Sequence, residues 1–235
     1  MSNGFSPRLD ILPPPQISLW PELGQVPADF VLYGGTALAL HLGHRESIDF
    51  DFFSAGEIDP DHLLNTIPFL RGSRVLQKAA NTLDVIVDRG GPIKVSFFGI
   101  PNLKPILQPL VCPDNQIRVA SLLDLAGTKV SVVQKRSELK DYLDIAAILA
   151  DGRVTLPMAL SAGQAIYGSQ FNPLISLKAL SYFDDGNLQS LSVQTRNLIV
   201  DAVRQVDLQK LPSVQPENRQ RRPNGDGYRP GGMGA

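Results

Sequence analysis

Residues 34–53 read GGTALALHLGHRESIDFDFF. Gly34 and Gly35 follow a compact apolar strand, Phe30 to Tyr33, and permit a turn and a close backbone approach that a side chain would forbid. Ala37 to Leu42 then reads as a helix. Strand, glycine turn and helix together present free backbone N–H groups to an anion, with Thr36 adding a hydroxyl. Gly43 ends the helix, and the chain enters a second apolar run, Ile48, Phe50, Phe52 and Phe53, which is interrupted by Asp49 and Asp51. Aspartate is disfavoured in strands, so the pair requires an explanation. Residues i and i+2 of a strand face the same way, about 6.6 Å apart at the backbone. At an effective dielectric of about 20, two such charges repel by roughly 2 to 3 kcal/mol. A divalent cation converts that cost into attraction, which makes Asp49 and Asp51 candidate metal ligands. Arg45 lies close in sequence to both, placed either to pair with a carboxylate or to reach a phosphate.

Composition narrows the classes. The chain has 235 residues, enough to bury a sizeable core. With 22 basic against 23 acidic residues there is no global attraction to a polyanion, so any such ligand is held locally. Cys112 is the single cysteine, which excludes a disulfide framework or a thiolate cluster. Prolines break the first 30 positions, and no apolar run approaches the ~18 residues of a membrane span. The expectation is a cytoplasmic protein with no membrane partner.

Outward from the opening stretch, residues 1–29 are proline-rich and are expected to run over the surface, with Ile17, Leu19, Trp20 and Leu23 tacking one helical turn to the body. Asp59 and Pro60 form a cap-and-proline helix start. Arg74 to Ala79, Leu83 to Asp88 and Ile93 to Phe98 read as three strands, with Asp84 and Asp88 on a solvent face. His41 and His44 are candidate ligands that read better as a surface helix residue and a loop residue, and His62 reads as a surface residue. Pro101 to Pro113 is a connector. Ser121 caps a helix whose apolar stripe, Leu122, Leu125, Ala126 and Val133, has Lys129 at its centre. An unpaired buried ammonium costs several kcal/mol, so Lys129 either snorkels to an edge or meets an anion. Ser137 is read as the cap of the next helix, with Leu139, Tyr142, Leu143 and Ala146 facing the core and Lys140, Asp141 and Asp144 on a solvated side. From Thr155 to Leu208 the pattern is helical packing. Residues 211–235 have little to bury and read as a disordered tail in which Arg219, Arg221 and Arg222 are solvated.

A glycine turn for phosphate, paired carboxylates for metal and a lysine on an apolar stripe together describe nucleoside triphosphate handled with Mg²⁺. GGTALALHLGHRESIDFDFF, then KVSFFGIP (Lys94 to Pro101) and SLLDLAGTKVSVVQKRSELKDYLDIAAIL (Ser121 to Leu149), resembles the AbiEii/AbiGii toxin family of minimal nucleotidyltransferases within the DNA polymerase beta-like superfamily. The resemblance covers roughly Phe30 to Leu149. It implies an α+β fold: a nucleotidyltransferase core over residues 30–112, a small mixed sheet with flanking helices, then a helical region over 113–210 that completes the site. It also implies Mg²⁺ dependence and transfer from NTP. Some members are toxins of toxin–antitoxin or phage-defence pairs, and some act on tRNA ends, so tRNA and a cognate antitoxin are the implied partners. By position, Gly35 and Thr36 match the nucleotide-phosphate loop, and Asp49 and Asp51 the metal pair. Lys129 matches the lysine of the later motif, and Lys140, Asp141 and Asp144 its closing Lys-Asp-x-x-Asp. Asp49, Asp51, Lys129 and Asp144 are therefore the expected catalytic set. Gly34, Gly35, Thr36, Arg45, Lys129, Lys140 and Asp141 are the expected nucleotide contacts.

The chain departs from the superfamily at Ser96, where many relatives carry a third carboxylate; Asp84 on the neighbouring strand is a substitute. Two rival functions stand beside transfer to RNA or protein. One is nucleotidylation of a small hydroxylated molecule. The other, motivated by Ser96, is a catalytically weakened nucleotide-binding or partner-binding protein.

Overall fold

The computed structural model describes residues 5–101 and 103–216. Seven strands form one mixed sheet: β1 (Phe30–Tyr33), β2 (Asp49–Ser54), β3 (Arg74–Ala79), β4 (Thr82–Asp88), β5 (Pro92–Gly99), β6 (Leu110–Val111) and β7 (Arg118–Val119). Their spatial order is β3-β4-β5-β2-β1-β7-β6. β2 runs parallel to β5 and β1 parallel to β7, while the other neighbours are antiparallel. The helices are α1 (Pro14–Leu19), α2 (Gly34–Leu42), α3 (Pro60–Thr66), α4 (Leu122–Val132), α5 (Leu139–Asp151), α6 (Leu156–Tyr167), α7 (Pro173–Ala179) and α8 (Val193–Arg204). The fold is α+β, as the sequence predicts. The two short strands β6 and β7 fall in and after the proline-rich connector and extend the sheet beyond β1.

Alternation in β2 gives the sheet two unlike faces. Phe50, Phe52 and Ser54 are buried, while Asp49, Asp51 and Phe53 are partly exposed. Register carries this division across the strands: Phe52 pairs with Leu32 and Phe97, and Phe97 with Leu83. All four are fully buried, and a buried side chain of this size contributes about 1.5–3 kcal/mol. Phe97 stacks on Phe52 at 5.5 Å and meets the edge of Phe30 at 5.3 Å. The proline-rich N-terminal segment covers this apolar face. Leu19 and Leu23 are fully buried, Trp20 lies 6.4 Å from Phe50, and its indole N–H donates to Asp114 at 2.6 Å. The segment is thus part of the core, not a surface strap, because its prolines start short helices whose apolar residues have the sheet to bury against.

The helical half attaches through α2, which packs against both α4 and α5. Gly127 of α4 lets α6 approach: a Cβ there would meet Ala162 and Ile166 at 2.9 Å. Ser121 caps α4 and Asp59 caps α3, both as predicted. α5 differs from its reading in two ways. Its cap residue is Glu138, with no side-chain cap bond, and Asn187 instead accepts from the Leu139 N–H at 2.6 Å. Asp141 and Asp144 are also fully buried rather than solvated, because α5 is held between α2 and α4 on one side and α8 on the other. Asp124 accepts from the Ile106 and Leu107 N–H groups at 2.7 and 3.1 Å, fastening the connector to the start of α4. No helix among the described residues is long and apolar enough to cross a membrane. Arg219, Arg221 and Arg222 lie outside the described residues.

Candidate active site

The partly exposed sheet face carries the acidic residues. Asp51 pairs with Tyr33 on β1 and with Ser96 on β5, and Ser96 pairs with Asp84 on β4. Directly paired residues share a face, so Asp51, Ser96 and Asp84 form one row across three strands. Asp49 stands two positions from Asp51, paired with Lys94. Lys94 reaches back to Asp84, with its Nζ 3.3 Å from Oδ2. Burial is the largest influence on Asp51 and pushes its carboxyl above the ordinary range; repulsion from Asp49 adds to this, and Lys94 and Lys129 oppose it. The Asp84 Oδ1 and Ser96 Oγ atoms are buried without a hydrogen-bond partner. Asp84 is thus part of the polar face of the sheet, not a solvent residue, and Asp88, exposed at the strand end, is the one that fits the surface reading.

The glycine turn sits directly over these acids. Gly34 has φ +74°, and a Cβ there would lie 2.5 Å from Asp51 Oδ2. At Gly35 a Cβ would meet Arg45 Nη2 at 2.7 Å and Ser47 Oγ at 2.8 Å. Gly34 therefore requires glycine for its conformation, and at both positions a Cβ would displace the side-chain ends that pack there. No side chain caps the start of α2, which leaves its first N–H groups as donors beside Asp51. The Thr36 hydroxyl is placed differently from the reading. It is fully buried and donates to the Asp49 carbonyl at 2.5 Å, fastening the helix start to β2 rather than facing an anion.

Lys129 meets two anions, both from its own chain. Its ammonium is paired with Asp141 at 2.9 Å and Asp144 at 2.5 Å. Asp144 also receives Arg45 in a two-pronged contact, Nε at 2.7 Å and Nη2 at 2.9 Å, and lies 2.8 Å from His44 Nε2. Asp141 receives Arg136 through Nε at 2.7 Å and Nη2 at 3.1 Å. Burial alone would raise Asp144; the bonds from His44 and Arg45 and the charge of Lys129 outweigh it and hold the carboxyl far below the usual range. Asp141 is lowered in the same manner, with burial overcome by Arg136 and Lys129. The chain Arg45–Asp144–Lys129–Asp141–Arg136 ties the loop before β2 to α4 and α5, and leaves a surplus of positive charge beside Asp51.

Of the residues read from sequence, the structure gathers Gly34, Gly35, Thr36, Arg45, Asp49, Asp51, Lys129, Asp141 and Asp144 into this region. Lys140 stands apart: its half-exposed ammonium pairs with Glu138 at 3.0 Å. His44 is not a surface loop residue, because it lies against Asp144 with its other ring nitrogen buried and unpartnered. His41 bonds the Ala120 carbonyl at 2.8 Å and is half-buried, and His62 is exposed as expected. Arg136 and Lys94 were missed. For Arg136 the available signal was its spacing ahead of Asp141; for Lys94 it was the strand alternation that sets it on the face of Asp84.

Comparisons with known proteins agree with this architecture. Residues 23–215 match the family model described as nucleotidyl transferase AbiEii toxin, type IV TA system. An uncharacterized protein of Aquifex aeolicus strain VF5 is 37% identical over 120 residues, 50% of this chain and 56% of that protein. The chain thus spans just over half the length of that relative. Among solved structures, MenT4, a nucleotidyltransferase toxin from Mycobacterium tuberculosis H37Rv, superposes with a TM-score of 0.54 at 14% identity, covering 83% of each chain. A nucleotidyltransferase candidate from H. pylori gives 0.49 at 17% identity, covering 80% of this chain and 90% of that one. With the family model spanning the sheet, the glycine turn and the helices that hold Lys129, the chain belongs to the AbiEii nucleotidyl transferase toxin family.

Proposed function

We propose that this chain transfers a nucleotide from an NTP to an acceptor hydroxyl on tRNA, and that it acts in the cytoplasm as the toxin of a toxin–antitoxin pair. One observation carries the reading: the uncapped start of α2 lies directly over Asp51, with Asp49 beside it on the same face and the buried Lys129 network alongside. The residues fit a bound Mg²⁺. Asp49 and Asp51 share a face, and burial first, then the charge of Asp49, raises the Asp51 carboxyl, a cost that a divalent cation would relieve. Among the described residues no set of three or more His, Cys, Asp or Glu groups is arranged for a metal. That suits Mg²⁺, which is commonly held by one or two carboxylates and completed by water and substrate phosphates. When bound, Mg²⁺ supplies charge neutralisation on the triphosphate and acidifies the attacking hydroxyl.

The protein groups divide the remaining work. The first N–H groups of α2 receive the triphosphate, for which Gly34 and Gly35 leave room. Thr36 holds that helix start in place through the Asp49 carbonyl. Lys129, Asp144 and Asp141 act as a positioning frame, since the ammonium is already neutralised by two carboxylates. Arg136 pairs with Asp141 and Glu138 but is only partly buried, and it is the cation we assign to the departing pyrophosphate, which it reaches by exchanging those carboxylates for phosphate oxygens. The acceptor oxygen forms its bond at the α-phosphorus as the bond to pyrophosphate breaks, and the hydroxyl proton passes to water. The test is incubation with Mg²⁺ and each labelled NTP in the presence of total tRNA, a protein extract or small hydroxylated acceptors, repeated with Asp51→Ala. Label on tRNA that requires Asp51 supports the reading; label on another acceptor alone removes tRNA from it.

A further inference from the structure

A cleft of about 1140 Å³ opens along the same sheet face, on the side of Asp51 away from Asp84. Its floor is Val31, Tyr33, Phe53 and Arg118. Tyr33 is the β1 partner of Asp51, and Phe53 follows Asp51 by two positions on the same face, so this end of the cleft lies next to Asp51, which does not itself line it. The Tyr33 and Phe53 rings stack at 4.9 Å, which makes that end apolar and flat. At the other end stands Arg118. Val31 pairs with both Phe53 and Arg118, and strand spacing then places the Arg118 and Asp51 Cα atoms roughly 12 Å apart. Among the described residues the Arg118 side chain has no hydrogen bond or ion pair, and the residue is exposed.

The charges lining the cleft restrict what it accepts. Asp124 is buried, and both its oxygens already accept bonds from the Ile106 and Leu107 N–H groups and the Ser121 hydroxyl. Asp29 accepts from Ser54 with one oxygen and keeps the other for a further donor. A free guanidinium, a carboxylate oxygen able to accept from a hydroxyl, and an apolar floor match a ribose–phosphate unit. They do not match a polycation, which would need free acids. We infer that this cleft is the acceptor subsite for the end of a single RNA strand, with Arg118 on a backbone phosphate about one nucleotide from the reacting hydroxyl. The inference rests on the nucleotidyl-transfer reading for its reacting hydroxyl, although the binding it describes is measurable without catalysis.

The experiment is fluorescence anisotropy of a labelled single-stranded RNA oligonucleotide with the full chain, without NTP or divalent cation, over a series of salt concentrations. Wild type, Arg118→Ala and Arg118→Glu are compared, with Lys178→Ala on α7 as a control for nonspecific charge. Losing one phosphate contact on a single strand lowers the log–log salt slope by about 0.7, equal to roughly fivefold weaker binding at 0.1 M salt relative to a 1 M reference. Arg118→Ala is expected to show that change and Arg118→Glu a larger one, with thermal midpoints, NTP affinity and the Lys178→Ala protein unaffected. Unchanged RNA affinity and slope in both Arg118 variants overturns the inference. So does wild type that binds no RNA, or an Arg118 effect on NTP affinity in place of RNA, which would make the cleft a nucleotide pocket. Arg118-dependent RNA binding in a protein that transfers no nucleotide to any acceptor would keep the subsite and remove the transfer reading.

Discussion

Asp144→Ala tests the frame around Lys129. Asp144 is fully buried and is shared by Lys129, both prongs of Arg45 and His44. Its removal leaves the Arg45 guanidinium, whose side chain is only 19% exposed, without its carboxylate, and leaves Lys129 with Asp141 alone. Removing one partner of a buried pair costs about 3–5 kcal/mol, because the remaining charge stays desolvated. The folded-state carboxyl is depressed below its unfolded value. Its stabilisation is therefore fully present above the unfolded pKa, about 3.9, and is lost only as pH falls through the lower folded value. Urea unfolding at several pH values between about 5 and 8 should show the same loss throughout for Asp144→Ala. Replacing the whole buried set by apolar residues should cost less than breaking it. A single-variant loss below about 1 kcal/mol, or one that fades between pH 8 and 5, would refute the claim that Asp144 is the ionised centre of the network.

Four further outcomes follow from the same geometry. Asp51 has its carboxyl raised on folding, so its ionised form opposes stability above the folded pKa and stops doing so below the unfolded one; Asp51→Asn should raise the thermal midpoint at pH 7 in metal-free buffer while abolishing transfer. Gly34→Ala should destabilise by more than the ~1 kcal/mol typical of a left-handed glycine, because its Cβ also collides with Asp51, and both unfolding and NTP binding report it. Thr36→Val should cost about 0.5–1.5 kcal/mol by removing the bond to the Asp49 carbonyl, and Thr36→Ser should recover most of the loss. The buried Cys112 thiol is pushed up to about 12, mainly by burial, so a thiol reagent at pH 8 should fail to label it in the native state and label it fully in urea.

The order strand, glycine turn, helix, strand was legible because each step has its own period, and β1, α2 and β2 stand where the residues place them. The shared face of Asp49 and Asp51 follows from alternation alone. Lys129 was legible as an anomaly, but its partners were not. Asp141 and Asp144 occupy spacings that equally describe a solvated stripe, and only the packing of α5 between α2, α4 and α8 buries them. Asp84 was read as exposed because alternation in β4 separates two faces without saying which is wet; the row through Ser96 to Asp51 is a matter of inter-strand register. The N-terminal prolines suggested a surface path, yet Leu19, Trp20 and Leu23 find the open apolar side of β2. Arg118 left no signal, since a charged residue on a two-residue strand is indistinguishable from a loop residue until β7 is seen beside β1.

The central claim is that the α-phosphate of an NTP moves to an acceptor while pyrophosphate leaves. The most direct measurement compares NTP labelled at the α- and γ-phosphates, incubated with the full chain, Mg²⁺ and total tRNA, beside Asp49→Asn and Asp51→Asn proteins. The account predicts α-label on the RNA, γ-label released as pyrophosphate, and neither with the variants. Retention of both labels on protein-bound NTP, or γ-label on the acceptor, would contradict it.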